Sequence, residues 1–169
     1  RTIFIADTSV HEYPTSEQMA EIAISTARVV RLFGFDPKVA FVSHSTFGQP
    51  LTSRTRHIRS AVEILKEKKV DFEFDGDMQP DVALSKEYEE LYPFAKIVGK
   101  ANILIMPGQH SAAISYKLMK TVGDAKVIGP LLVGLGLPIE IAPLRTSTSE
   151  LINLASIAAY SAEKIDYNK

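Results

Sequence analysis

The sequence predicts an α/β layer fold built on a mainly parallel sheet, and three observations carry that prediction. Short apolar runs alternate with longer stretches whose apolar residues recur at helical spacing. Cap and stop residues fall at the joints between the two patterns. The chain is also large enough to bury a core without cross-links: 169 residues, 46% apolar, formal net charge −1 and no cysteine.

Taken in order, residues 2–6 read as a strand, followed by the Tyr13-Pro14 turn. Thr15 with Gln18 three residues on forms a capping box for a helix that runs to about Phe33 and stops at Gly34. Its inward stripe is expected to be Met19, Ile22, Ala23, Val30 and Phe33. Residues 38–42 are the next strand, leading into a polar run and a Gly48-Gln49-Pro50 loop. Ser53 is expected to cap a second helix ending near Lys69, with Ile58, Ala61, Val62 and Leu65 inward. A strand over 70–74 is expected to break on Asp75-Gly76. Short helical pieces over 81–91, a buried strand over 101–106 and a helix over 111–122 follow. Residues 126–128 and 138–142 are expected to close the sheet, and 147–163 to form the last helix. No repeat, low-complexity tract or linker divides the chain, so residues 1–169 read as a single lobe.

Composition excludes several classes. Without cysteine there is no disulfide framework, no thiolate zinc site and no cysteine nucleophile, which fits a cytoplasmic setting. Balanced charge gives no reason to expect nucleic acid, and no apolar run reaches the ~20 residues of a membrane span. Arg1 directly precedes an apolar strand, with no initiator Met and no signal-peptide layout, so the chain is expected to be the C-terminal piece of something longer. Gly134-Leu135-Gly136-Leu137-Pro138 lacks the third glycine of a dinucleotide fingerprint. There is no nucleophile elbow or P-loop, and His11, His44, His57 and His110 are scattered without ligand spacing, so no metal site is expected.

In open α/β sheets ligands gather beyond the carboxyl ends of the strands. Ser43, His44, Ser45 and Thr46 stand there and could offer hydroxyls and an imidazole to phosphate or carbonyl oxygens, or could simply satisfy their own turn. Residues 75–81 gather Asp75, Asp77 and Asp81 but lack the ligand order of a calcium loop, so they read as turn chemistry. Pro107-Gly108-Gln109-His110 could hold an anion at a helix start, or only enter the helix. The second helix carries Arg54, Arg56, His57, Arg59, Lys66, Lys68 and Lys69, a face for nucleotide-like phosphates or a solvated surface.

The stretch 134–155, GLGLPIEIAPLRTSTSELINLA, resembles the closing segment of the phosphate acetyltransferases. In that family a Gly-Leu-x-x-Pro turn leads through a Ser-Arg element into a helix. Aligned on the turn and on Asn153-Leu154-Ala155, the Ser and Arg positions fall on Pro143 and Leu144, and the general-base carboxylate falls on Glu150. A pyrrolidine ring and an isobutyl group supply neither hydroxyl nor guanidinium to an acyl-transfer transition state. Further similar blocks occur in the same order: 14–23, 75–79, 101–105 and 128–132. Phe33-Gly34-Phe35-Asp36-Pro37-Lys38-Val39-Ala40 and Ser43-His44-Ser45-Thr46-Phe47-Gly48 are more similar to the phosphotransacetylase-like C-terminal domain of the multidomain NADP-dependent malic enzymes. His110 and Ala113 stand where the acetyltransferases usually carry Asp-x-x-Asn.

The resemblance implies a three-layer α/β/α sandwich similar to a lobe of the isocitrate/isopropylmalate dehydrogenases. It implies a non-catalytic regulatory and oligomerisation domain that binds acetyl-CoA or a related acyl-CoA. The expected ligand-binding residues are Ser43, His44, Ser45, Thr46, Asp75, Arg145, Thr146 and Ser147. A homo-oligomer is expected, and NADP and a divalent metal belong to the malate-decarboxylating part of the parent, not to this stretch. The alternatives are a working phosphate acetyltransferase, moving acetyl between CoA and phosphate, and a pure dimerisation module.

Overall fold

The computed structural model describes residues 1–123 and 125–164. They form two compact units, Arg1–Ser115 and the residues from Tyr116 onward.

The first unit is an α/β layer structure. Its strands are β1 (Phe4–Ala6), β2 (Lys38–Val42), β3 (Glu73–Met78) and β4 (Ile103–Ile105), and its full helices α1 (Ser16–Leu32) and α2 (Ser53–Lys68). The four strands are all parallel, in the order β1-β4-β2-β3. Alternation along β2 and β4 explains the layering. Val39, Phe41, Ile103 and Ile105 face α1 and α2, which contribute Met19, Ala23, Val30, Ile58 and Leu65 to one core. Ala40, Val42 and Leu104 face the other way, onto Val82 and Ala83 of the short helix α3 (Pro80–Leu84), Ile97 and Ala112. Ala112 belongs to α4 (Gln109–Val122), so helical residues cover both faces. Each fully buried large side chain contributes about 1.5–3 kcal/mol of transfer free energy.

The helix starts follow their chemistry. Thr15 caps α1 through a reciprocal box with Gln18, as the sequence predicts. In α2 the cap is Thr52, one residue before the expected Ser53, and Thr55 closes the box. Thr52 wins because its partner three residues on is a hydroxyl that is itself fully buried, whereas Ser53 faces Arg56 at that spacing.

Two other expectations are corrected. Asp75-Gly76 does not end the third strand; β3 runs through it to Met78, and the register shifts between Phe41 and Val42, so that Phe41 pairs with Gly76 and Val42 with Met78. Asp77 is the extra residue of this bulge. Gly76 has φ +145, and a Cβ there would lie 2.7 Å from the Phe41 carbonyl oxygen, so the strand can pass β2 only at a glycine. Nor do residues 126–128 and 138–142 add strands to the sheet; among the described residues of the second unit the strand-like pairing is an isolated antiparallel bridge between Leu131 and Glu140. Pro130 follows the first of these segments and Pro138 opens the second, and neither has a backbone N–H to give a ladder. The last helix, α5, is Thr148–Lys164. No helix among the described residues is long and apolar enough to cross a membrane.

Candidate functional site

The carboxyl ends of β1, β2 and β3 carry clustered polar groups. At the end of β2 the chain passes through Ser43, Ser45 and Thr46, all buried, while His44 is exposed. The bulge explains how this run is held. Asp77, fully buried, turns its carboxylate onto the segment: Ser45 Oγ donates to Oδ2, and the Gly48 N–H donates to Oδ1 at 3.1 Å. Backbone bonds tie the same two segments together, Ser43 N–H to the Met78 carbonyl at 2.9 Å and Phe47 N–H to the Asp77 carbonyl at 2.7 Å. Thr46 Oγ1 accepts the Gln79 N–H at 3.1 Å, and Gln79 Nε2 donates to the His44 carbonyl at 2.8 Å. The Ser43–Thr46 cluster is therefore a rigid rim in which Ser45 and Thr46 already have partners. Phe47 follows with φ +50, an unusual conformation for a bulky residue, and the Asp77 contacts on both sides hold it there.

Asp75 lies on the strand before the bulge. One carboxylate oxygen accepts the Lys96 N–H at 2.9 Å, and the other accepts the Gly76 N–H. It fastens the 92–97 stretch beside the rim.

At the end of β1, Asp7 forms a second fixed carboxylate. It accepts the N–H groups of Ser9, Val10 and His11 at 2.7–2.9 Å, and His11 Nδ1 lies 2.8 Å from Oδ2. Burial alone would raise its pKa, but the three backbone donors and His11 together outweigh that cost and hold it below its ordinary value. Gly108, just after β4, comes so close to the Glu12 carbonyl oxygen that a Cβ would lie 2.6 Å from it. His110 is exposed on the first turn of α4. His57, on the basic helix, is wired to α1: Nε2 lies 2.8 Å from the Pro14 carbonyl oxygen, and Nδ1 lies 3.1 Å from Ser16 Oγ.

In the second unit Pro143 and Leu144 sit on an exposed loop. Leu144 is fully exposed, and the Pro143 carbonyl accepts the Thr146 N–H and Oγ1. Arg145 is exposed, while Thr146 is half-buried. Ser147 and Glu150 form a capping box at the start of α5: the Ser147 N–H donates to Glu150 Oε2 at 2.7 Å and the Glu150 N–H to Ser147 Oγ at 3.3 Å. Lys120 Nζ lies 3.4 Å from the other oxygen of Glu150. The Ser147 N–H and hydroxyl, with Lys120, hold the Glu150 carboxyl below its usual range. These contacts make Glu150 the helix-capping partner of Ser147. Glu140 has the opposite character, with burial raising its pKa against one backbone donor from Leu132.

Sequence reasoning missed Asp77, which it absorbed into a turn, and His11, which it read as scattered. A signal for the first was present: Phe72, Phe74, Gly76 and Met78 continue a period of two straight through the Asp-Gly pair. Among the described residues, no group of three or more His, Asp and Glu side chains is placed to hold a metal ion.

The family model described as phosphate acetyl/butaryl transferase matches residues 1–159. An NADP-dependent malic enzyme of Rhizobium meliloti (strain 1021) is 49% identical over 162 residues, which is 96% of this chain and 21% of that enzyme. A phosphate acetyltransferase of Clostridium acetobutylicum is 35% identical over 164 residues, 96% of this chain and 49% of that protein. Among solved structures, a phosphotransacetylase from Streptococcus pyogenes superposes with a TM-score of 0.90 at 33% identity, covering 95% of this chain and 49% of its own. The chain thus spans about a fifth of the malic enzyme and about half of the phosphotransacetylases it matches.

Proposed function

The chain belongs to the phosphate acetyl/butaryl transferase family, and from that premise we propose that it is a regulatory and assembly domain of an NADP-dependent malic enzyme, a receptor for acetyl-CoA or a related acyl-CoA that performs no acyl transfer itself. One observation carries the reading. The positions that align with the family's Ser-Arg element are Pro143 and a fully exposed Leu144, and the aligned carboxylate, Glu150, is spent on capping α5 and on Lys120. Hydroxyl, guanidinium and free base are thus all lacking at the aligned positions, while the rim around Asp77 remains fully hydrogen-bonded. The similarity to malic enzymes over nearly the whole chain supports the choice of parent. Oxidative decarboxylation of malate, with NADP and a divalent metal, would then be the work of other parts of the longer protein, and the assembly a homo-oligomer.

An effector changes the parent's activity only if it binds two states of the assembly unequally, with a coupling typically of ~1–3 kcal/mol, or roughly 5–150-fold. The test is malate oxidation by the natural protein with and without acetyl-CoA, before and after removal of this domain. The expected result is an acetyl-CoA response that disappears on truncation while turnover persists. Acetyl phosphate formation from acetyl-CoA and phosphate by the intact protein, above a no-enzyme control, would instead support a working acyltransferase.

A further inference from the structure

Thr46, Phe47, Gln49, Gln79, Tyr92 and Phe94 line a cleft of about 340 Å³ in the first unit, a size within the range of small-molecule sites. Its walls are aromatic and its rim is amide-rich. Phe47 and Phe94 stand 5.0 Å apart between ring centroids at 63°, Phe47 and Tyr92 5.5 Å apart at 59°, and Tyr92 and Phe94 6.2 Å apart at 89°. Phe47 and Tyr92 pack on the core below, but Phe94 is 69% exposed, so its ring gains little from burial. Phe47 holds its left-handed conformation at the mouth of the cleft, where the buried Asp77 carboxylate anchors Gly48 beside it. Strain of this kind persists where the surrounding structure enforces it, and it clusters at ligand clamps.

We propose that this cleft holds the adenine end of the acyl-CoA, an inference that rests on the function proposed above. A planar heteroaromatic ring gains stacking on Phe94 that an acyl or pantetheine chain does not. Its donor and acceptor edge is met by the Gln49 amide and by Gln79, whose Nε2 is fixed on the His44 carbonyl and whose Oε1 is left to accept. Phosphates attached to the ring's sugar need a cation near the mouth. Arg59 supplies it: its guanidinium Nη1 lies 3.5 Å from the Phe47 carbonyl oxygen, which leaves further N–H groups for phosphate oxygens.

The experiment is calorimetric titration of the full chain with acetyl-CoA, adenosine 3′,5′-bisphosphate and pantetheine, in wild type, Phe94→Ala, Phe94→Trp and Arg59→Ala. Because Phe94 is exposed, its variants should fold, which unchanged thermal melting checks. The expected result is that Phe94→Ala weakens both adenine ligands at least about fivefold, and Phe94→Trp restores them. Arg59→Ala should weaken the bisphosphate and flatten its salt dependence. Wild-type binding of acetyl-CoA that Phe94→Ala leaves unchanged would overturn the cleft assignment while leaving the acyl-CoA reading intact. Bisphosphate binding that depends on Phe94, without any acetyl-CoA binding, would support an adenine cleft and count against the acyl-CoA reading. Binding of pantetheine alone, or of no ligand, would overturn the cleft.

Discussion

Asp77 shows how much one side chain can set. The bulge frees it from the strand ladder, and its carboxylate then supports the Ser45 hydroxyl and the Gly48 N–H at zero exposure. Asp77→Ala strips both donors of their acceptor and should lower the unfolding free energy by about 2–4 kcal/mol, whereas Asp77→Asn, which keeps a carbonyl acceptor, should cost less; urea unfolding distinguishes the two. Two other carboxyls should give stability profiles of opposite slope. Asp7 has a folded pKa below its ordinary 3.8, so the folded state binds its proton more weakly than the unfolded chain does. Its contribution is full above that value and is lost as pH falls through the folded pKa. Glu140 has a folded pKa above its ordinary 4.5, so it favours folding when protonated and loses that contribution as pH rises from 4.5 through the folded pKa. Asp7→Asn should flatten the acid limb of stability against pH, and Glu140→Gln should remove the decline on the other side and raise stability at pH 7. Unfolding midpoints measured across the acid range check both signs.

At the scale of elements, much of the first unit is legible in the sequence. The Thr15/Gln18 box, the glycine stop at Gly34 and the apolar spacing of α1 and α2 are local signals, and local geometry obeys them. The third strand is the exception. Asp75-Gly76 carries the strongest turn signal in its neighbourhood, yet β3 passes through it, because Gly76 is needed for close approach to Phe41 and not for reversal. That requirement comes from a partner 35 residues away and cannot be read locally. Gly76→Ala should therefore destabilise by about 1–3 kcal/mol through both the clash and the positive φ, with the loss seen as a lower thermal midpoint. The candidate site divides in the same way. Ser43–Thr46 is legible as a polar run after a strand, but the carboxylate that fixes it is not, since only the bulge aims Asp77 there. The Ser147/Glu150 pair carries an ordinary capping signature, and the structure forms that box, although the resemblance to the acetyltransferases implies a base at Glu150.

For the molecule as a whole, the family frame and the substituted positions must be weighed together. The α/β sheet, the order of its blocks and its likeness to phosphotransacetylase structures place the chain in its family. In the proposed function, Pro143, Leu144 and the capping role of Glu150 are what set it apart from an acyltransferase. Binding without turnover is the behaviour the proposed function predicts. Equilibrium dialysis of the natural protein against labelled acetyl-CoA in phosphate buffer, with chromatography of the label after dialysis, tests both halves at once. The account predicts saturable retention, with the label recovered as intact acetyl-CoA. Label recovered as acetyl phosphate, or no saturable retention, would contradict it.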